Sequence, residues 1–300
     1  MSKKPKIIAV VGPTASGKTA LSIVLAKAFD GEVISADSRQ VYRELDLGTG
    51  KVTKDEMSGI PHHLLDVADP RERFSVAEFQ KLGRIAIEDI LSRGRTPIIC
   101  GGTGLYVDTL LNGTALPEVP PNKELRDELE KLSAEELYEK LLAVDPGRAA
   151  DIDRHNPVRL VRAIEIAEAL GKVPKAETSE DYDVLKIGLL PPDELLKEKI
   201  AKRLKERLDQ GMLAEAERLH ADGLSYERME ELGLEYRYMA RVLQGALSQE
   251  EFETQLQNEI WQYAKRQKTW FKRDGQIRWF ENGNDPEIPL LAKRFLASSE

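Results

Sequence analysis

A glycine-rich segment between an apolar run and a helical pattern limits the folds open to this chain. Residues 12–19 read Gly-Pro-Thr-Ala-Ser-Gly-Lys-Thr, which fits the pattern G-x-x-x-x-G-K-[ST]. The apolar run Lys6–Val11 predicts a strand buried on both faces, and residues 19–29 carry apolar groups at helical spacing. Such a loop binds phosphate oxygens through backbone N–H groups and the N-terminus of the following helix. The sequence therefore predicts a polyphosphate site on a parallel sheet.

Further strand and helix signals alternate along the chain. Residues 33–36, 97–100 and 185–190 are short apolar runs that predict strands, and residues 76–93 predict an amphipathic helix. Strands separated by helices are typical of a parallel sheet flanked by helices. We therefore expect the α/β class, with a P-loop core.

The middle of the chain shows helix signals but no strand signal. Prolines begin it, and helical periodicity at residues 124–144 and 157–170 is not interrupted by a strand signal. A polar stretch, residues 175–183, then leads back into the fourth predicted strand. We expect an all-helical insertion domain at residues 116–184, with the P-loop core formed by residues 1–115 and 185–300.

Composition narrows the class of protein. The chain has 44 Lys and Arg against 52 Asp and Glu, a net charge of −8, which argues against a protein that coats nucleic acid but allows a local basic groove. Cys100 is the single cysteine, which excludes an intrachain disulfide and a cysteine-based zinc finger. No apolar run approaches the roughly 20 residues of a membrane span, and the N-terminal run is too short for a signal peptide. We expect a cytosolic protein, and no pattern requires more than a monomer.

Polar residues follow two of the predicted strands. Asp37 comes after the second strand, where a carboxylate can hold Mg²⁺, accept a proton or simply cap a helix. Thr103 follows two glycines after the third strand, where it can meet a ligand or stand in a plain turn. Ligands bind at these strand ends in open α/β sheets. In the phosphate loop, Lys18 adds a positive charge and the Thr19 hydroxyl is placed to ligate Mg²⁺.

The adjacent pair His62 and His63 does not predict a metal site. Neighbouring side chains on an extended segment point apart, and no third histidine or cysteine has suitable spacing. We expect structural hydrogen bonds instead.

Two segments are basic against the acidic background. Arg159 and Arg162 lie three residues apart on a predicted helix, and residues 263–273 carry five basic side chains with interleaved aromatic rings and no acid. Cations among aromatic rings suit nucleic acid. The alternative is a helix whose trailing cations complement its dipole, with Trp270 and Phe271 packed on the core. We interpret the charged residues 199–207 as a solvated helix face.

Two classes of enzyme fit these observations. A small-molecule or nucleoside kinase would bind ATP in the phosphate loop, with Asp37 as base and the insertion arginines as a lid. A transferase would use the loop for the departing diphosphate of its donor and take a nucleic acid as acceptor. A GTPase switch fits poorly because neither N-K-x-D nor D-x-x-G after a strand is found.

Five sequence motifs, which follow one another along the chain, decide between the kinase and the transferase. They read G-P-T-A-S-G-K-T, I-S-A-D-S-R-Q-V-Y, P-H-H-L-L-D, G-G-T-G-L-Y and K-R-Q-K-T-W-F, and span the chain from about residue 7 to residue 273. This set resembles the tRNA dimethylallyltransferases, the tRNA isopentenyltransferase family. The resemblance implies transfer of a dimethylallyl group from dimethylallyl diphosphate to N6 of the adenosine 3′ of the anticodon in tRNA, with Mg²⁺.

The resemblance also implies roles for individual residues. Asp37 would accept the N6 proton, Thr19 would hold the metal, and Arg237 would stabilise the diphosphate. The diphosphate would be bound by Gly12, Pro13, Thr14, Ala15, Ser16, Gly17, Lys18 and Thr19. The residues implied to contact tRNA are Asp37, Ser38, Arg39, Gln40 and Thr103 at the strand ends, Arg126, Val158, Arg159, Leu160, Val161 and Arg162 in the insertion, and Lys265, Arg266, Gln267, Lys268, Thr269, Trp270 and Arg273 in the late basic segment.

Two departures from the family pattern stand out. The family commonly has G-Y-[KR] in the third quarter, whereas this chain reads Glu235-Tyr236-Arg237, so that a glutamate replaces the glycine. Some relatives carry a C-terminal zinc finger, which a single cysteine cannot supply. RNA must therefore be bound without one.

Overall fold

A computed structural model describes residues 4–114, 116–175 and 179–298. The chain divides into two compact units, one of residues 1–113 and 180–300 and the other of residues 114–179. We call them the core unit and the helical unit. Residue 115 at the predicted boundary, and residues 176–178 of the predicted polar return, lie outside the described residues.

The core unit contains a six-stranded sheet in which all neighbouring strands are parallel. The strands are β1 (Lys6–Val11), β2 (Gly31–Ser35), β3 (His62–His63), β4 (Thr96–Gly101), β5 (Asp183–Leu189) and β6 (Arg278–Phe280). Their spatial order is β3-β2-β4-β1-β5-β6. The predicted parallel α/β sheet is confirmed. The sequence pattern misses the edge strands β3 and β6, because two or three residues are too few to show a periodicity.

Helices account for most of the remaining described chain. In chain order they are α1 (Lys18–Ala28), α2 (Lys54–Met57), α3 (Val76–Ser92), α4 (Gly104–Leu111), α5 (Lys123–Leu129), α6 (Ala134–Val144), α7 (Pro146–Asp151), α8 (Pro157–Leu170), α9 (Asp193–Asp209), α10 (Met212–Ala221), α11 (Tyr226–Leu232), α12 (Leu234–Leu243), α13 (Gln249–Phe271) and α14 (Glu287–Ala297).

The sheet is covered on both faces, which explains why its central strand is apolar throughout. Ile7, Ala9 and Val11 of β1 pack against α3 and α4. Ile8 and Val10, which point the other way, pack against α1 and α14. Successive side chains of a strand face opposite sides, so a strand covered on both sides reads as a continuous apolar run.

A third core lies among the helices of the second half of the core unit. Buried side chains of α9 to α13 pack there with Val41, Tyr42 and Leu45, which follow β2. This packing brings the chain after β2 against helices that are more than 150 residues away in sequence. It thereby connects the end of β2 with α12 and α13.

The helical unit contains α5 to α8 and, in residues 114, 116–175 and 179, no strand. The sequence pattern predicts one helix over residues 124–144, whereas the structure has two, α5 and α6. The break has a local cause: Ser133 accepts the Glu136 N–H and Glu136 accepts the Ser133 N–H, a capping box that begins a new helix. Leu129, Leu137, Leu141 and Leu160 form the core of this unit.

None of the helices in residues 4–114, 116–175 and 179–298 combines the length and the apolar character needed to span a bilayer.

Candidate active site

The phosphate loop has the backbone that its glycines permit. Gly12 and Gly17 have φ values of 143° and 97°, a region that side chains disfavour. A Cβ at Gly12 would also overlap the carbonyl oxygen of Leu189 on β5. α1 begins at Lys18, immediately after Gly17. The sequence-predicted strand, loop and helix are therefore all present in the expected order.

The loop opens on a cavity of about 360 Å³ in the core unit. Its walls come from strand ends and from three helices that are distant in sequence. They include Thr14, Ala15, Lys18 and Thr19 of the loop, Asp37, Ser38, Arg39 and Gln40 after β2, Gly101 and Gly102 after β4, Arg203 of α9, Arg237 and Tyr238 of α12, and Glu259, Tyr263 and Arg266 of α13. The cavity thus brings together the phosphate loop, the carboxylate of Asp37 and part of the late basic segment.

Lys18 lines this cavity and is partly buried. Its Nζ donates a hydrogen bond to the carbonyl oxygen of Pro13 at 2.6 Å. Burial lowers the pKa of Lys18 to about 8, because removal from water disfavours the ammonium form. Nearby, the buried Oγ of Ser16 has no hydrogen-bond partner within the described part of the chain. The Lys18 ammonium at the cavity wall is suited to a bound anion.

Asp37 is held by the turn that follows it. Its Oδ1 accepts the backbone N–H groups of Arg39 at 2.8 Å and Gln40 at 3.3 Å. Its Oδ2 has no hydrogen-bond partner among residues 4–114, 116–175 and 179–298. One carboxylate oxygen therefore fixes the orientation of the side chain, and the other is available to a ligand in the cavity.

Thr103 supports the same turn. Its Oγ1 accepts the backbone N–H of Ser38 at 3.1 Å, so the hydroxyl is engaged with the protein. Tyr263 of α13 lines the cavity, and burial raises the pKa of its phenol to about 12. Thr103 thus holds the turn after β2 and follows Gly102, which lines the cavity.

Gln267 connects the late basic segment with the phosphate loop. Its Oε1 accepts the N–H of Thr14 at 2.8 Å, and its Nε2 donates to the carbonyl oxygen of Gly102 at 2.9 Å. The side chain is buried, with 6% exposed. Both ends of the amide are used within the protein. These bonds give Gln267 a structural role; because the residue also lines the cavity, its contact with RNA stays a prediction.

In the rest of that segment, some side chains pack against the core and others are exposed to solvent. Trp270 donates from Nε1 to Oδ2 of Asp108 at 2.8 Å, and a Cβ at Gly104 would overlap its ring, so it packs closely on α4. Phe271 is buried and Lys268 pairs with Asp193. The exposed side chains among Lys265–Arg273 are those of Lys265, Arg266, Thr269, Lys272 and Arg273. The rings therefore pack as the alternative interpretation expects, whereas nucleic-acid binding by the exposed cations stays a prediction.

The interpretation of residues 199–207 as a solvated face needs a correction. Arg203 lines the cavity and donates to the carbonyl oxygen of Gly50 at 2.7 Å. Arg207 is buried and donates to the carbonyl oxygens of Leu47 and Gly48 at 3.2 and 2.9 Å. A charge pattern on one helix cannot show that a distant loop packs against two of its cations.

The departure at Glu235 is explained by the same arginine. Arg207 forms an ion pair with Glu235 at 3.2 Å, and both side chains are largely buried. Glu235 lies at the start of α12, two residues before Arg237, which also lines the cavity. Arg237 pairs with Glu230 at 3.2 Å and remains half-exposed.

The loop at residues 46–48 is also bound by a buried carboxylate. Glu215 accepts the N–H groups of Asp46, Leu47 and Gly48 at 3.1, 2.7 and 2.9 Å. It also accepts the hydroxyl of Tyr236 at 2.6 Å. Together with Arg207, this group fixes the loop against α9, α10 and α12. No sequence motif suggested Glu215 or Arg207 as important.

In the helical unit, two of the predicted arginines are engaged with a buried acid. Arg126 donates to both carboxylate oxygens of Glu165 at 2.9 and 2.8 Å, and Arg162 also pairs with Glu165. These contacts and the bond from Asn122 N–H to Glu165 at 2.7 Å hold the pKa of Glu165 down to about 2, against the opposing effect of burial. Arg126 and Arg162 therefore stabilise the unit, whatever else they contact.

The remaining predicted contacts in this unit differ in exposure. Val158 is 79% exposed and Arg159 is exposed as well, whereas Val161 is partly buried. Leu160 is fully buried in the core of the unit. We correct the expectation for Leu160 and leave it out of the proposed RNA contacts, because it offers no surface.

The two adjacent histidines have separate hydrogen bonds. His62 Nδ1 lies 2.9 Å from the carbonyl oxygen of Ile60, and His63 Nε2 lies 2.7 Å from Oε2 of Glu32. Glu32 also pairs with Arg93 and Arg95. In the described ranges, no group of three or more His, Cys, Asp or Glu side chains is arranged to hold a metal.

Two family models match this chain. The IPP transferase family model matches residues 40–274, and the isopentenyl transferase family model matches residues 5–70. The two matches cover the phosphate loop, Asp37 and the late basic segment.

Individual proteins are similar over almost the whole chain. tRNA dimethylallyltransferase 2 of Citrifermentans bemidjiense is 45% identical over 296 residues, which are 96% of this chain and 96% of that protein. The crystal structure of a tRNA isopentenylpyrophosphate transferase from Bacillus halodurans has a TM-score of 0.73 and 37% identity, covering 98% of this chain and 96% of that one. A eukaryotic dimethylallyltransferase acting on tRNA has a TM-score of 0.84 and 28% identity, covering 98% and 80%.

Proposed function

This chain belongs to the IPP transferase family, and from that membership we propose that it transfers a dimethylallyl group from dimethylallyl diphosphate to N6 of the adenosine 3′ of the anticodon in tRNA. The family membership agrees with the resemblance seen in the five sequence blocks. It favours the transferase over the kinase, since the similar proteins are tRNA dimethylallyltransferases.

One observation supports roles for individual residues in this reaction. A single cavity is lined both by the phosphate loop and by Asp37, whose Oδ2 is available to a ligand. A diphosphate bound at the loop and a base beside Asp37 would therefore meet in the same space. This is the arrangement that transfer from a diphosphate to an amine requires.

The donor would be bound by its diphosphate. The backbone of residues 12–19, the α1 N-terminus and the Lys18 ammonium would receive the phosphate oxygens. As the bond between the dimethylallyl carbon and oxygen breaks, the electron pair leaves with the diphosphate, and these groups stabilise the growing charge. Arg237 lines the same cavity and would add a second cation.

The acceptor nitrogen needs a base. N6 of adenine is weakly nucleophilic, and it must lose a proton as its bond to carbon forms. Asp37 Oδ2 would accept that proton, while Oδ1 stays bound to the turn. A stacked adenine cannot reach a cavity of about 360 Å³, so the base would be flipped out of the anticodon loop. Ser38, Arg39 and Gln40 would line its place.

The residues present fit a magnesium ion that arrives with the donor. Mg²⁺ is commonly held by one or two protein oxygens and by substrate phosphates, rather than by a cage of protein ligands. The hydroxyl of Thr19, which lines the cavity, is an oxygen atom of that kind. Thr19 would hold the ion, which would neutralise charge on the departing diphosphate.

The tRNA would be bound by both units. In the core unit the exposed cations Lys265, Arg266 and Arg273, with Thr269, would contact the anticodon arm. In the helical unit the exposed Val158 and Arg159 would do so, with Arg162 and Arg126 behind them. Local basic surfaces of this kind allow a chain of net charge −8 to bind RNA. We expect the protein to act in the cytosol as a monomer.

A labelling experiment tests the function. Unmodified tRNA is offered either dimethylallyl diphosphate labelled in the isoprenoid or ATP labelled at the γ-phosphate, with and without Mg²⁺. Isoprenoid label should enter the RNA only when Mg²⁺ is present. Turnover of ATP alone, or its label reaching a small acceptor, would establish the kinase instead.

Removing the Arg159 charge should weaken tRNA binding without affecting the donor. For Arg159→Gln we expect a several-fold higher KM for tRNA and a salt dependence of binding reduced by about one unit of slope, because one phosphate contact is lost. Arg148→Gln makes the same change at an exposed site on α7 and serves as the control. Equal effects of the two substitutions would argue against a specific contact at Arg159.

The pKa of Lys18 predicts that donor binding weakens in alkaline solution. The lysine is protonated below its pKa of about 8 and loses its charge as the pH rises through that value. Between pH 7 and pH 9 the affinity for inorganic diphosphate should fall about tenfold more in the natural protein than in Lys18→Arg, which stays charged. Calorimetric titration of both proteins at both pH values measures this. The same pH dependence in both would remove Lys18 as its cause.

A further inference from the structure

A tryptophan on the outside of α13 has three lysine ammonium groups near its ring. The Nζ atoms of Lys197, Lys265 and Lys268 lie 5.2, 5.9 and 5.9 Å from the ring centroid of Trp261. Lys197 comes from α9 and the other two from α13. The ring itself is partly buried against the core of α9 to α13. We call these four residues the tryptophan–lysine cluster.

Three ammonium groups close together repel one another, and the ring and the neighbouring carboxylates offset only part of that repulsion. Like charges repel, whereas the face of an indole attracts ammonium groups. Lys268 pairs with Asp193, and Lys197 pairs with Glu194 at 2.8 Å. Lys265 is exposed and has no salt-bridge partner in the described residues. The cluster is therefore positive in a chain whose net charge is −8.

The cluster lies outside the cavity but next to groups that line it. Trp261, Lys265 and Lys268 follow one another at spacings of four and three residues, which places them on one stripe of α13. None of the four residues lines the cavity, whereas Arg266 does. Lys265 and Arg266 are adjacent in sequence and both are exposed. An RNA chain that leaves the cavity past Arg266 would therefore reach the cluster next.

The chemistry of the cluster favours phosphate. An ammonium group is a strongly hydrated point charge that binds phosphate oxygens without the planar fork needed to recognise bases. Lys265 has no salt-bridge partner in the described residues, and the Lys197 side chain is 45% exposed beside the solvent-exposed Glu194, so both can contact phosphates near one ring. We propose that the tryptophan–lysine cluster binds backbone phosphates of the tRNA strand just outside the reaction cavity. This inference rests on the proposed function, and it adds Lys197 and Trp261 to the RNA-binding surface.

Two substitutions on the same helix test the proposal. Lys197→Gln removes a lysine of the cluster, and Lys202→Gln removes one from an outward-facing site on α9, where the side chain is 79% exposed. The dissociation constant of unmodified tRNA is measured by filter binding over a series of salt concentrations. For Lys197→Gln we expect a several-fold weaker affinity and a salt slope smaller by about 0.7–0.9. Lys202→Gln should behave as the natural protein.

Trp261 is tested with two further variants and a folding control. Trp261→Leu should weaken tRNA binding several-fold and reduce the salt slope, since the lysines lose the ring that gathers them, and Trp261→Phe should restore most of both. Thermal melting identifies a variant that fails to fold, in which case Lys197→Gln alone decides. Identical tRNA binding by Lys197→Gln and Lys202→Gln would overturn the proposal. Failure of the natural protein to transfer the isoprenoid would instead overturn the proposed function.

Discussion

Replacing Asp37 by asparagine is expected to lower kcat by about 10²–10⁴-fold, the usual contribution of a general base. Asparagine keeps the size of the side chain, and its Oδ1 can still accept the N–H groups of Arg39 and Gln40. It puts an amide in place of the free Oδ2, which cannot accept a proton from N6. The turn should therefore survive while the chemical step is lost. Single-turnover transfer of labelled isoprenoid to tRNA measures the change.

Binding measurements separate a chemical role of Asp37 from a structural one. Diphosphate affinity of Asp37→Asn should stay close to that of the natural protein, because the base acts in the transition state and not on the donor. Asp55→Asn, at an exposed site on α2, provides a substitution of the same kind away from the cavity. A parallel loss of diphosphate binding and turnover in Asp37→Asn would assign the residue to donor binding.

The second large effect is expected at Glu215, and it concerns stability. The carboxylate accepts three backbone N–H groups and the Tyr236 hydroxyl. In Glu215→Gln an NH₂ group faces donors, so at least one buried N–H or O–H loses its acceptor. We expect the free energy of unfolding to fall by about 2–4 kcal/mol, the range for breaking a buried charge-assisted network. Urea unfolding of the two proteins measures it.

The loop held by Glu215 also contributes to the cavity wall, so function should change with it. Thr49 lines the cavity, and Gln40 donates to the carbonyl oxygen of Gly50 at 3.4 Å. Glu215→Gln should therefore raise the KM for tRNA even below its melting temperature. Glu217→Gln, on the exposed face of the same helix, should leave both stability and KM unchanged. Equal stability of the two variants would show that the loop does not depend on the buried carboxylate.

What the sequence predicts well is local. The strand, phosphate loop and first helix follow one another within about 25 residues, and each has its own signal. Asp37 and Thr103 are placed by a general rule, namely that parallel strands end at the same edge of a sheet. The predicted strand β5 and helix α8 also agree with the structure to within two residues at each end.

What the sequence does not predict depends on contacts between distant segments. Arg207 and Glu215 have no motif, and their importance appears only where the loop after β2 packs against α9 and α10. Gln267 stands within a recognisable basic motif, yet its amide binds the phosphate loop 253 residues earlier. Burial also separates Leu160 from its neighbour Arg159, although both belong to one basic segment.

The bond between Gln267 and Thr14 has a consequence for how the protein is made. A ribosome produces the phosphate loop first and α13 near the end, so for most of synthesis the loop lacks the amide that holds its Thr14 N–H. A nascent chain that stops before residue 267 has the residues of the loop but not its support. Donor binding in its final form therefore becomes available only when α13 has also been made.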